Sequence, residues 1–216
     1  MNVEQRLFAL QDLKYRDFHK GLVPGMPDDY IIGVRMPELR KLAKEIDAAM
    51  LFAELPHRYY EENQLHAIVL SAMKNYDACM AEVERFLPYV NNWATCDGLR
   101  PRCFAKHGME VLVSVRRWIS AEHEYTVRFG IGVLEAFYLD DKFDAEQLLW
   151  VAAIEREEYY IRMMQAWYFA TALAKQWEAT LPIVRSLPEW VRRKTVQKAC
   201  ESFRVSDEHK SILRKM

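Results

Sequence analysis

Apolar side chains recur at three- and four-residue steps along nearly the whole chain, and no stretch alternates apolar with polar convincingly at a period of two. A chain patterned this way folds as helices that each bury one face. Leu7, Leu10, Leu13 and Phe18 read as a first helix, closed by Pro24, Gly25, Met26 and Pro27. Pro37 opens a second helix in its first turn, followed by Leu39, Leu42, Ala43 and Ile46. Further stripes are Leu65, Ile68, Val69 and Ala72, then Val83, Phe86 and Leu87, then Val111, Val115 and Trp118. Val127, Ile131, Leu134 and Tyr138 follow, then Leu148, Leu149 and Ala152, and a long stretch from Ile161 to Leu173. Leu181 to Val184 and the set Val196, Ala199, Cys200 and Phe203 complete a count of ten to twelve short helices. Seven glycines and eight prolines in 216 residues are too few for the turns of an all-β sandwich or barrel. With 51% hydrophobic and 28% charged residues the chain can bury a core, which excludes disorder as its main description.

Short helices with tight connections predict stacked antiparallel pairs rather than a long-helix bundle. Arg128, Arg162 and Val196 stand 34 residues apart, each in an apolar helix, and Gln64 and Leu65 open a similar helix about two periods before Arg128. A degenerate period in the mid-thirties predicts a helical solenoid of the HEAT or TPR kind, a single domain over residues 1–216. A side chain recurring early in each inner helix would project into the groove of such a solenoid, and Arg128 and Arg162 are side chains of that kind.

Charge narrows the partners. The net charge is -1, which excludes a uniformly basic nucleic-acid coat, so any polyanion contact must be local. Residues 1–90 carry a net -3, residues 91–128 a net +2, residues 129–184 a net -5 and residues 185–216 a net +5. The centre and the C-terminal end are therefore the candidate anion-facing parts. The cysteines Cys79, Cys96, Cys103 and Cys200 form no C-x-x-C pair, and the charged start at Met1 to Arg6 does not read as a secretory leader. Reduced thiols in a cytoplasmic protein are the expectation. The longest uncharged apolar stretch, Met163 to Ala174, is too short to span a bilayer, so no membrane contact is expected.

The most unusual segment runs from Asn91 to Arg102 and holds Trp93, Asp97, Arg100 and Arg102. Trp93 and Asp97 are four residues apart and share a face if the segment is helical. Two readings stand side by side: an indole and a carboxylate placed for chemistry, or a core tryptophan with Asp97 capping a helix that Pro101 helps start. By periodicity Trp167 is a buried helix residue. Arg128 and Arg162 could pair with Glu124 and Glu158, although exposed pairs of this kind contribute only a few tenths of a kcal/mol. The basic stripe of Arg192, Arg193, Lys194, Lys198 and Arg204 reads equally as a solvated face or a phosphate contact. Cys103 and His107 lack the further ligands of a zinc site, and Gly130-Ile131-Gly132 lacks the strand and third glycine of a dinucleotide fingerprint. Glu61 and Glu62 with His66 lack the metalloprotease pattern and are expected to stabilise a helix start. No metal and no cofactor is called for.

Three of these segments, in this order and spacing, resemble the AlkD-like DNA alkylation repair glycosylases. Ile32-Gly33-Val34-Arg35-Met36-Pro37-Glu38-Leu39-Arg40-Lys41-Leu42-Ala43-Lys44 is similar to the family's G-V/I-x-x-P-x-x-R-x-x-A entry. Trp93-x-x-x-Asp97 is similar to its active-site turn, and Ile161-Arg162 through Trp167 to an I-R-K-A-I-G-W segment, with Met163 for the lysine and Ala166 for the glycine. The resemblance implies an all-α, right-handed superhelical solenoid of HEAT-like helix pairs with a concave DNA-binding face. It implies a single-chain DNA glycosylase for N3- or N7-alkylated purines in double-stranded DNA, acting without base flipping. Asp97, Trp93 and Trp167 would be catalytic. Arg128, Arg162, Arg100, Arg102, Arg193, Lys194 and Lys198 would contact DNA. Phe18 and Tyr30 are candidates for an N-terminal active-site aromatic. Two other functions fit the same surface: a non-catalytic module for damaged or branched DNA, and a scaffold for protein partners, which would suit the acidic stretch 129–184.

Overall fold

The computed structural model describes residues 2–27 and 29–216; Met1, the first residue of the charged start, and Asp28 lie outside the described residues. Among the described residues the chain is 68% helix with no strand, arranged as fourteen α-helices and two 3₁₀ turns. They form two compact units, Met1–Lys106 and His107–Met216.

In the first unit, α1 (Val3–Ala9) and α2 (Leu13–Lys20) replace the single first helix expected from Leu7 to Phe18. The break has a local cause. Leu10 ends α1, and the Asp12 carboxylate caps α2 by accepting the Tyr15 amide at 3.0 Å. Helix α3 (Met36–Leu42) carries Pro37 in its first turn, where a missing N–H costs nothing. Helix α4 (Ala48–Ala53) is capped by Asp47. Helix α5 (Tyr60–Ser71) is the hub and packs against α1, α3, α4, α6 (Tyr76–Phe86) and α7 (Trp93–Gly98). The 3₁₀ turns Leu87–Tyr89 and Arg102–Lys106 follow α6 and α7. Leu7, Ile32, Leu39, Leu42, Leu51 and Leu65 meet in a core cluster of this unit.

Helix α5 departs from the amphipathic pattern because it is buried almost all round, with Glu61, Glu62, Asn63, Gln64 and His66 inside. Buried polar groups are stable mainly when hydrogen-bonded, and each of these side chains makes at least one such bond, although Asn63 Oδ1 has none among the described residues. Glu62 accepts the Tyr59 amide at 2.9 Å, the helix-start role expected of it. Glu61 does something else. Its carboxylate accepts the backbone N–H groups of Ile32 (2.9 Å), Gly33 (2.7 Å) and Val34 (3.1 Å). Burial raises its pKa while those three donors pull it down. Gly33 sits at φ +99°, and a Cβ there would stand 2.5 Å from Arg16 Cβ and 2.7 Å from the Asp12 carbonyl oxygen. Only glycine lets the loop pass this close to α2.

The second unit contains α8 (Gly108–Ile119), α9 (Glu124–Phe137), α10 (Ala145–Ala152), α11 (Tyr159–Lys175), α12 (Trp177–Ser186), α13 (Glu189–Glu201) and α14 (Asp207–Leu213). Helix α9 packs on α11 and α11 on α13. Sequential partners α8/α9, α10/α11 and α12/α13 also pack, as do α10 and α12. This is the arrangement expected of stacked helix pairs. The positions Arg128, Arg162 and Val196 fall on α9, α11 and α13, so the 34-residue spacing marks one row of this unit. Gly130 allows α8 and α9 to approach, since a Cβ there would meet Ile119 Cγ2 at 2.8 Å. Helix α13 buries Val191, Thr195 and Ala199, whereas Phe203, expected in its apolar stripe, is fully exposed beyond its end. The stretch Met163 to Ala174 lies inside α11, and no described helix is long and apolar enough to cross a membrane.

Candidate functional site

Helix α7 is held by one side and presents the other. Asn92 caps it, accepting the Thr95 amide at 2.8 Å. Thr95 and Cys96 are buried, α7 packs on α5, and Gln64 of α5 donates to Thr95 Oγ1 at 2.9 Å. The opposite face carries Trp93 and Asp97, both half-buried. Asp97 is the fifth residue of α7, so it does not cap the following turn, and Trp93 is not sealed in the core. The Trp93 ring packs on Val23, Tyr30, Ile31 and Tyr60. Its Nε1 donates to the Leu22 carbonyl oxygen at 3.0 Å, which fixes the plane of the indole. Tyr30 is buried in the same cluster. It accepts from Asn63 at 3.0 Å and donates to Asn91 at 3.1 Å, tying α5 to the start of the α7 segment. Of the two N-terminal aromatics considered, Tyr30 is therefore the one beside Trp93, while Phe18 is exposed on α2.

The chain leaves α7 over the end of α5. The Arg100 amide donates to Ser71 Oγ at 2.8 Å, and Arg100 Nε donates to the Asp97 carbonyl oxygen at 3.2 Å. Arg100 and Arg102 then line a hollow of about 540 Å³ together with Arg40 and Lys44. Ile68, Val69 and Ala72 form part of its wall; Ile68 and Val69 also pack on the core, as the helical spacing of their stripe predicts, while Ala72 is exposed.

In the second unit Trp167 is 43% exposed on α11, against the buried position that periodicity predicts. Lys198 Nζ of α13 lies 4.7 Å from its ring centroid. The two line a hollow of about 230 Å³ with Thr171, Glu201 and Arg204. Arg162 stands over the Trp190 ring at 4.6 Å and pairs with Glu157 at 2.6 Å, not with Glu158. Glu158 instead pairs with Arg156. Lys194 lies one turn before Lys198 on α13, and Arg193 is exposed beside it. Arg128 corrects an expectation. It is 2% exposed, and its guanidinium donates to the Tyr160 carbonyl oxygen at 2.7 Å, linking α9 to the start of α11 instead of projecting into an open groove. Glu124, one turn before Arg128 on α9, also reaches this junction and accepts the Tyr160 amide at 3.3 Å.

The remaining constellations are structural. Cys103 is buried beside Cys79, whose thiol is pushed up by burial, and His107 Nδ1 lies 3.8 Å from Glu110. Sequence reasoning missed a buried chain in which His57 Nε2 meets His66 Nδ1 at 2.9 Å and His66 Nε2 lies 3.0 Å from Glu82. Phe86 stacks on His66 at 3.9 Å. Burial holds His57 down to about 4 and His66 to about 3, so both are neutral at pH 7.

A family model described as DNA alkylation repair enzyme matches residues 4–168, well over half of the chain. No curated protein matches the chain.

Proposed function

Given that the chain belongs to the DNA alkylation repair enzyme family, we propose that it is a DNA glycosylase that hydrolyses the N-glycosidic bond of cationic N3- or N7-alkylated purines in duplex DNA, without flipping the base. The observation that carries this reading is Asp97, half-buried on the face of α7 opposite Thr95 and Cys96, one turn from an indole of fixed orientation.

The chemistry suits these residue types. An alkylated purine already bears positive charge, so it leaves as a neutral base and no general acid is required. As the C1′–N bond breaks, its electron pair goes to the base and the sugar develops oxocarbenium character. A carboxylate held near C1′ stabilises that charge and orients the water whose oxygen forms the new bond to C1′; one water proton is released to solvent. Asp97 has that role. Trp93 offers an aromatic face to the deoxyribose and its cationic character. Arg162, Arg193, Lys194 and Lys198 contact phosphates, as do Arg100 and Arg102. Arg128 acts behind them by holding α9 against α11.

The test is release of 7-methylguanine from a methylated duplex. Asp97→Asn should lower the single-turnover rate by roughly 10²–10³, the scale of losing one preorganised electrostatic group, while leaving duplex affinity largely intact. Unchanged release removes Asp97 from the mechanism. A wild-type protein that grips the duplex and releases no base is a binding module instead.

A further inference from the structure

The hollow at the end of α7 is ringed by cations. Met36, Arg40, Ala43 and Lys44 occupy one face of α3 and its C-terminal extension, at the helical spacing i, i+4, i+7, i+8. Arg100 and Arg102 approach from the other side, where the chain crosses Ser71. Four cations thus line the hollow and no carboxylate does. All four are exposed, and among the described residues Arg40, Lys44 and Arg102 have no ion-pair partner. Like charges gathered on one rim cost free energy unless an anion joins them. The apolar wall is equally informative. Ile68, Val69 and Ala72 offer no hydrogen-bond donor or acceptor from their side chains. The Ser71 hydroxyl already donates to the Ala67 carbonyl oxygen at 2.6 Å and accepts the Arg100 amide. Nothing in this wall can read a base edge.

Exposed cations on a rim above an unreactive apolar wall match the alternation of a DNA strand, with phosphates on the cations and deoxyribose C–H surface on the wall. A small free anion would be better served by buried, converging donors. Gly98 lines the same hollow, next in sequence to Asp97. We infer that Arg40, Lys44, Arg100 and Arg102 form a sequence-independent phosphodiester site that positions one DNA strand relative to Asp97. This rests on the glycosylase reading for its purpose, and it adds Arg40 and Lys44, which the sequence reading did not place on DNA.

The experiment compares wild type with Arg40→Gln, Lys44→Gln, Arg102→Gln and the triple variant. Affinity for an unmodified duplex and for its twin with one 7-methylguanine is measured across a salt series. Each cation removed from a phosphate should flatten the plot of log affinity against log salt by about 0.9, equally for both duplexes. Circular dichroism and melting temperature confirm that each variant is folded. A triple variant with the wild-type slope overturns the inference, while release of base by wild type would leave the glycosylase reading standing. A flattened slope with a wild type that releases no base supports the strand site and overturns the glycosylase reading alone. A deoxynucleoside monophosphate is titrated as the rival occupant. If the triple variant no longer binds that nucleotide while its duplex slope is unchanged, the hollow belongs to a small nucleotide and the strand assignment is overturned.

Discussion

Glu61→Gln tests whether a single buried carboxylate holds the loop at residues 32–34 in place. The substitution keeps volume and shape, so cavity terms drop out. The carboxylate uses both oxygens: Oε1 accepts Gly33 and Val34, and Oε2 accepts Ile32. A carboxamide has one acceptor oxygen. In its better orientation it keeps Gly33 and Val34 and turns its NH₂ toward the Ile32 N–H, donor against donor. One buried backbone donor is then orphaned, at about 1–3 kcal/mol, and the two surviving bonds lose their charge assistance, at about 1 kcal/mol each. Against this, burial has already raised the Glu61 pKa, so the ionised side chain carries a desolvation cost that glutamine escapes. The losses sum to about 3–5 kcal/mol, and an escaped desolvation cost of about 1–2 kcal/mol leaves a net destabilisation of about 2–3 kcal/mol. For a chain of this size that lowers the melting temperature by roughly 4–12 °C. Urea unfolding at pH 7 and a thermal melt read both numbers. A variant within about 0.5 kcal/mol of wild type would show that the carboxylate does not anchor the loop, and the account of α5 as the hub would fail with it.

Two further outcomes follow from packing and titration. Gly130→Ala should destabilise the protein by about 1–2 kcal/mol, because overpacking against Ile119 and Trp118 outweighs the helix propensity gained; Gly132→Ala, whose Cβ would meet only Met164 Cε at 3.8 Å, should be neutral or stabilising in the same urea titration. His57 and His66 are depressed from 6.5 to about 4 and about 3, so the unfolded chain binds protons below pH 6.5 that the folded chain refuses. Their contribution is complete above pH 6.5 and is lost as the pH falls toward 4 and 3, at about 1.4 kcal/mol per pH unit for each refused proton. His57→Gln should flatten stability against pH between 6 and 4, and an acid limb of wild-type steepness would refute the assignment.

What the sequence makes legible follows from which forces are local. Helical spacing, Pro37 at a first turn and the 34-residue interval between Arg128 and Arg162 depend on near neighbours, and the helices of the second unit stack at that interval. Trp93 and Asp97 share a helical face because four residues make about one turn. Longer-range effects are hidden. Nothing near Leu10 announces that Asp12 will bond across to Gly33 and split the first helix in two. Glu61 reads as a helix-start acid because its true partners lie 27 to 29 residues earlier. Trp167 reads as core because periodicity counts an indole as apolar, whereas the structure leaves it open beneath a lysine. Ala72 reads as core for the same reason and is exposed, whereas Ile68 and Val69 of its stripe do pack on the core and are only partly covered. In each case the spacing identifies the face, and only the neighbouring helix decides whether that face is closed. An apolar stripe only partly covered beneath a rim of cations is therefore the more specific pointer to a ligand, because burial alone would have closed it with another helix rather than ringed it with arginine and lysine.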